Sequence, residues 1–588
     1  MRPPTRALPR RWDLGVFFAG LTDPRIEADL AEAGALGLAL REQCRGRIAD
    51  LTPAEARAAI ESFQRQLGLL LGVMDFAELL TFQDTEDEAP RALLAHARAV
   101  AARAQADTAF VVLELQAASP ERFAALVAAP ELAPFRHYLQ RLRRLAAHAL
   151  DEQAERIVTL KDVSGAQAWR RLYNVLTAGL VVRVGPRELG EAEANALLVD
   201  ADRGARREAS EALGMAFVPH AEAIAAAFGA LADDHARTLK LRGHTSPLGP
   251  QLLEDDLPAE AVEGLLAAVE ARHELVRRYC RFKARALGLA DFASYDVFAP
   301  FDARDERVTF PEARQIVLDA FEAFSPAYAS VAAGFFDGPY LDEAPRRAKS
   351  PGAFCFWCRP GIHPFVLLNY TDRPHDVLVL AHELGHGTHY ALLDRTQQLL
   401  DVRLGLINEA PSTFAEMLTF DRMLRAAEAP AARRALLATV IESAISTVFL
   451  MARAARFEQA VFARRQEGIL GPQDLAELWN GLRGELYGDA VALPTWDRWG
   501  WLRYGLGINQ PFYSPLYPFG MLLAFAFLQR YREEGPAFAP RYLAMLEAGV
   551  SMPVAELVAM VGLDVRDPAC WRQALDFLAG LVDELEAI

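Results

Sequence analysis

The chain has 588 residues, 52% apolar and 24% charged, with a formal net charge of −16. That is the composition of a folded globular protein large enough for more than one domain, and it excludes disordered and fibrous classes. An acidic chain also argues against nucleic acid or an anionic membrane as the main partner.

The start, MRPPTRALPRRWDLGVFF, is positively charged but has no continuous apolar run before Asp13, so no signal peptide is expected. From 25 to 70, apolar residues recur three and four apart among Ala, Leu, Glu and Arg, which predicts helix. The run from Leu257 to Leu289 reads as one long amphipathic helix. PEARQIVLDAFEAF (311–324) reads as a helix opened by proline. The pattern breaks at SPGAFCFWCRPGIHPFVLLNYTDRPHD (350–376), where aromatic and β-favouring residues predict two short strands, about 353–358 and 364–370, joined by the RPG turn. DVLVLAHELGHGTHYALLD (376–394) follows as a strongly apolar helix, and INEAPSTFAEM (407–417) opens another that reaches about Leu424.

Further on, ALLATVIESAISTVFLMA from Ala435 is long enough to span a membrane. Glu442 lies in its middle and no second such run accompanies it, so it is expected to be a buried helix of a large protein. YGLGINQPFYSPLYPFG (504–520) is too rich in Gly and Pro to be one regular helix. An aromatic loop of this kind packs against something or lines a cleft. The cysteines, Cys44, Cys280, Cys355, Cys358 and Cys570, are too few and too scattered for a disulfide framework and fit a reducing compartment. Cys355 and Cys358 form a C-x-x-C without a second pair, so they are expected to be structural thiols.

The chemistry concentrates on 382–416. His382 and His386 are four apart, so one helix brings both imidazoles to the same face about one turn apart. Glu383 is one step round, placed to reach a water rather than to act as a ligand. This is the H-E-x-x-H arrangement, in which two neutral imidazoles chelate a divalent ion. A catalytic zinc wants a third protein ligand and an open fourth position. His389 is the nearest offer, but one straight helix does not easily bring three rings to one ion. The longer H-E-x-x-H-x-x-G-x-x-H spacing fails, because His389 and Leu392 stand where Gly and His would be needed. Glu409, on the following helix, is the better candidate and would complete a His₂Glu site. Glu416, seven residues on and on the same face, could orient a ligating imidazole.

With these residues in place the chain resembles the oligoendopeptidase F group of zinc metallopeptidases, distantly related to thimet oligopeptidase. The resemblance rests on PGAFCFW, HPFVLLNYTDRPHDVLVLAHELGHGTH and NEAPSTFAE in order, with RWDLGVFFAGLTDPRIEADL near the start and RRYCRFKARALGLADFASYDVFAP at 277–300. It spans nearly the whole chain. It implies a mainly α protein, with two helical lobes enclosing a deep substrate channel and a small β-sheet next to the HExxH helix. It also implies an N-terminal helical region over 1–195 and a catalytic domain over 196–588. The family's ligands carry over onto His382, His386 and Glu409, holding one Zn²⁺ per chain, and its general base onto Glu383.

The oxyanion formed in peptide hydrolysis needs a further donor, typically Tyr or His. Tyr504, Tyr513 and Tyr517 are the candidates, with Tyr513 and Tyr517 favoured. Here the chain departs from the family pattern: Pro511 stands where a histidine is usual and Phe519 where tyrosine is expected, and Asn509 is an alternative donor. The strand GAFCFW is the candidate edge for an extended peptide, with Gly352, Ala353 and Phe354 as substrate-binding residues. The expected protein is therefore a cytoplasmic zinc endopeptidase of short, unstructured peptides, with no nucleic-acid or membrane partner. The alternatives are a peptidyl-dipeptidase of related fold and a peptide-binding protein that has lost turnover. Only an endopeptidase would cut end-blocked peptides.

Overall fold

A computed structural model describes residues 10–301, 307–393, 398–401 and 405–588. The protein is mainly α-helical, as the periodicity predicts. Among the described residues the strands are β1 (Val182–Val184), β2 (Arg187–Leu189), β3 (Leu341–Asp342), β4 (Phe354–Phe356) and β5 (Phe365–Leu367). The chain divides into two compact units, each woven from three stretches of sequence.

The first unit comprises Met1–Ala147, Glu306–Arg422 and Glu533–Gly562. Helices Pro24–Cys44, Pro53–Gln83 and Glu88–Ala117 pack on one another in it. Each has a side-chain cap: Asp23 accepts from the Arg25 N–H, Asp87 from the Ala89 N–H, and Thr52 forms a capping box with Glu55. Such caps contribute about 1 kcal/mol each.

In the small sheet β5 is central, parallel to β3 and antiparallel to β4, with Phe354 opposite Leu367 and Phe356 opposite Phe365. Alternation sends Phe354, Phe356, Phe365 and Leu367 into an aromatic core with Trp12, Phe17, Phe76 and Phe82. The Trp12 indole N–H donates to the Val366 carbonyl at 2.8 Å. Cys355 is turned the other way, towards Glu383 and Tyr390 on the helix Pro374–Leu393.

That helix, here the motif helix, is buried almost throughout. The next one, Glu409–Ala426, runs against it. Phe414 of this second helix meets Phe324 edge to face and Phe538 and Tyr542 at a tilt, an aromatic wedge in the core of the first unit.

The second unit comprises His148–Asp305, Met423–Arg532 and Leu563–Ile588. Its core joins Phe228, Phe457, Trp479, Trp501 and Tyr504, carried by helices Ala221–Leu241, Met451–Arg465 and Pro472–Tyr487 and the 3-10 segment Thr495–Arg503. Two buried charge groups tie it together. Lys283 pairs with Glu442, which also accepts from the Tyr279 hydroxyl. Arg203 and Arg206 both pair with the fully buried Asp296.

Three expectations are corrected. The strands cover only 354–356 and 365–367, because Gly352 takes a left-handed φ of +82° and Gly361 one of +90°, so the chain turns away from the ladder early. The long helix over 257–289 is two helices, Ala259–Glu270 and His273–Ala286. Past the break, the His273 ring and the Arg277 guanidinium bond to the carbonyls of Glu485 and Leu486, contacts with no local sequence signal. Among the described residues two runs, not one, are long and apolar enough to cross a membrane, 203–241 and 430–465, and in each about half of the most apolar window is buried inside the protein. The second is interrupted by a π-helical turn, Ile445–Leu450, and its Glu442 is the partner of Lys283.

Candidate metal centre

The motif helix starts where Asp376 folds back over its own N-terminus, its carboxylate accepting from the Thr371 and Arg373 N–H groups and the Thr371 hydroxyl. Two turns on come His382, Glu383 and His386. The 409–426 helix approaches unusually closely at Gly385. A Cβ there would lie 2.6 Å from the Ser412 Cα and 2.7 Å from the Ala415 Cβ, so only glycine fits. Gly387 similarly makes room for the Phe335 ring, 2.5 Å from where a Cβ would be. Gly385 lets the two helices touch, and this brings Glu409 to the imidazoles.

Glu409 Oε2 lies 3.5 Å from His382 Nε2 and 3.7 Å from His386 Nε2. One ligand atom from each of the three residues falls within 4.8 Å of the others. Donors held at about 2.0–2.1 Å in a tetrahedron are about 3.3 Å apart, so the spacing suits a zinc-sized ion. Two imidazoles and a carboxylate are also a zinc donor set. His389 is not in this group; it is buried, with its ring against Asn408.

The supports behind the ligands differ. His382 Nδ1 is 3.2 Å from Glu416 Oε2, a contact that fixes the ring with Nε2 turned towards Glu409. Behind His386 lies the Asn408 amide, which also meets His389 and Tyr390. Neither Asn408 nor Gly385 was singled out in the sequence. The glycine's signal was there, a small residue inside the HExxH spacing; Asn408 had none beyond its place before Glu409.

The electrostatics follow from two carboxylates around buried imidazoles. Burial works against a charged His382, yet Glu409 and Glu416 hold it well above its ordinary range. Burial and the neighbouring His382 charge push His386 down to about 3. Glu409 is held down to about 2 against its own desolvation, by the two imidazoles. Burial raises Glu383 to about 7. Its carboxylate faces the main-chain N–H of Cys355 on β4. The Glu409 side chain is 47% exposed, so the site has an open side.

The remaining predicted residues sit as follows. Among the described residues β4 is an edge strand, pairing only with β5. The Phe354 side chain is committed to packing on Phe82 and Trp12, which leaves Gly352, Ala353 and Phe354 their main-chain groups. Tyr513 and Tyr517 belong to the second unit, their rings 5.8 Å apart edge to face, and Tyr517 is partly exposed. Tyr504 is buried and bonded to Glu458 and Ser514, Asn509 pairs with Asn174, and Phe519 is buried against Trp571.

A helix-borne His-Glu-x-x-His completed by a carboxylate from the next helix, in a mainly α scaffold, defines a metallopeptidase. The chain belongs to peptidase family M3: the family's sequence profile matches residues 196–577, and the profile described as oligopeptidase F matches 114–181. It is 22% identical to oligopeptidase PepF of Bacillus subtilis (strain 168), covering 92% of this chain and 82% of that protein. It is 24% identical to group B oligopeptidase PepB of Streptococcus agalactiae serotype III (strain NEM316), covering 94% and 93%. Among solved structures, one from Chlamydophila abortus superposes with a TM-score of 0.88 at 24% identity over 98% of both chains. Oligoendopeptidase-F from Enterococcus faecium gives 0.73 at 21% identity over 96% and 98%.

Proposed function

We propose that this metallopeptidase is a zinc-dependent, cytoplasmic endopeptidase that hydrolyses internal bonds of short, unstructured peptides. The observation that carries the reading is the convergence of His382, His386 and Glu409, with Glu383 beside them. His382, His386 and Glu409 would hold one zinc ion per chain, and Glu416 orients His382. When bound, zinc polarises the scissile carbonyl and acidifies water.

Glu383 takes the proton of the attacking water and delivers it to the leaving amide nitrogen. A carboxyl raised to about 7 suits both halves of that exchange. The developing oxyanion is met by Tyr513 and Tyr517. An extended substrate adds as a strand along the β4 edge, using the main chain at Gly352, Ala353 and Phe354. In this reading residues 196–588 carry the catalytic machinery and 1–195 are the N-terminal helical region. The cytoplasmic assignment is supported by five free cysteines.

The test is mass spectrometry of products from a mixed peptide pool, with and without chelator, including peptides blocked at both ends. Internal cleavage of blocked peptides that chelator abolishes is expected. Release of C-terminal dipeptides alone would favour a peptidyl-dipeptidase, and no cleavage at all a binding protein.

A further inference from the structure

The second unit contains a buried guanidinium with nothing to balance it. Arg453 follows the π-helical turn Ile445–Leu450 by three residues, and such turns recur at functional sites. It is 9% exposed, its guanidinium carbon lies 3.9 Å over the Trp479 ring, and its Nε and Nη1 have no hydrogen-bond partner among the described residues. The nearby acid, Asp497, already accepts from Arg483 Nη2 at 3.0 Å. The other groups that act on Arg453 are Arg483 itself and the hydroxyl-bearing Tyr487 and Tyr504. Two arginines and one aspartate leave this pocket one positive charge in excess. Burial and Arg483 together pull Arg453 down to about 9, a sign of a missing counter-charge.

Other unmatched groups carried by its neighbours and by the same aromatic core are donors as well. Arg483 Nε, Trp479 Nε1 and Trp501 Nε1 are buried without acceptors. Trp479 Nε1 abuts Gly500, the neighbour of Trp501, 2.6 Å from where a Cβ would stand. In the same core, by contrast, the Tyr504 and Ser514 hydroxyls and the Glu458 carboxylate are all bonded. A pocket whose unmatched groups are N–H donors, carrying one excess positive charge inside an aromatic core, calls for a compact acceptor of charge −1. Water would satisfy donors but not charge.

We propose that Arg453, with Arg483 and Trp479, forms a buried binding site for a small monovalent inorganic anion of the halide class, chloride in the cell. The anion is part of the folded second unit, and the proposal is independent of the peptidase reading. The test uses bromide as the probe on the unaltered protein. Anomalous diffraction from crystals grown in sodium bromide is expected to show a peak against the Arg453 guanidinium. In parallel, Tm measured at constant ionic strength should rise saturably by about 2 °C as chloride replaces isethionate. Arg453→Met, which keeps an apolar stem on Trp479, should lose that rise. Absence of a bromide peak at Arg453, equal Tm in the two salts, or an undiminished rise in Arg453→Met would each overturn the site. If Arg453→Met does not fold, the bromide map of the unaltered protein decides.

Discussion

Glu383 and Glu458 are buried glutamates on apolar helices, one in each unit, and they are held in opposite ways. Glu458 is fully buried but accepts from the Tyr504 and Ser514 hydroxyls and the Phe512 N–H, so burial raises it only to about 6. Glu383 is slightly exposed, has one main-chain N–H facing it, and is raised to about 7. A carboxylate surrounded by donors is already spent on structure. Here it fixes the loop around Phe512, whose left-handed φ of +62° needs such an anchor. A carboxylate left short of donors, beside convergent metal ligands, is free to exchange a proton.

If that contrast is right, exchanging each group for its amide separates chemistry from folding. Glu383→Gln should lower turnover by about 10³-fold or more while Tm and metal content stay at wild-type values. A variant that retains activity would remove Glu383 as the base. Gly385→Ala attacks the same site through packing. The methyl group meets backbone at 2.6 Å, so a loss of about 3 kcal/mol and of bound metal is expected in denaturant titrations. Unchanged stability would mean that the helices do not approach as described. Glu458→Gln should cost about 2 kcal/mol, through donors left without a charged acceptor, with metal affinity unaffected. Glu416→Gln should leave stability nearly untouched and weaken metal binding about 10-fold to 100-fold in chelator competition.

A third buried acid adds a pH dependence. Among the described residues Asp75 accepts only from the Arg359 N–H, at 3.3 Å, and burial raises it from 3.8 to about 7. A raised carboxyl keeps its proton in the folded state while the unfolded chain ionises, so stability falls as pH rises from about 4 to about 7 and levels off above. Asp75→Asn should flatten that slope. A slope that persists in the variant would assign it elsewhere.

How much of this the sequence carried depended on the range of the forces involved. His382, Glu383 and His386 share one helix, so their spacing alone placed them. Glu409 comes from the next helix and was preferred to His389 because one straight helix does not easily bring three rings to one ion; that the two helices touch there is a matter of tertiary packing. Gly385 stood inside the motif, yet its role lies in atoms of Ser412 and Ala415, which no local pattern reveals. The break at Ala271–Arg272 likewise follows from contacts with 485–486. Tyr513 and Tyr517 are favoured over Tyr504 in the loop, and the reason Tyr504 is committed elsewhere lies outside it, in Glu458, 46 residues upstream, which accepts from its hydroxyl.

The claim beneath all of this is that His382, His386 and Glu409 grip one ion. Anomalous diffraction on either side of the zinc absorption edge, from crystals of the zinc-loaded protein, tests it directly. One zinc peak bounded by His382 Nε2, His386 Nε2 and a Glu409 oxygen is the predicted result. A peak that excludes Glu409, or none between the two imidazoles, would contradict it.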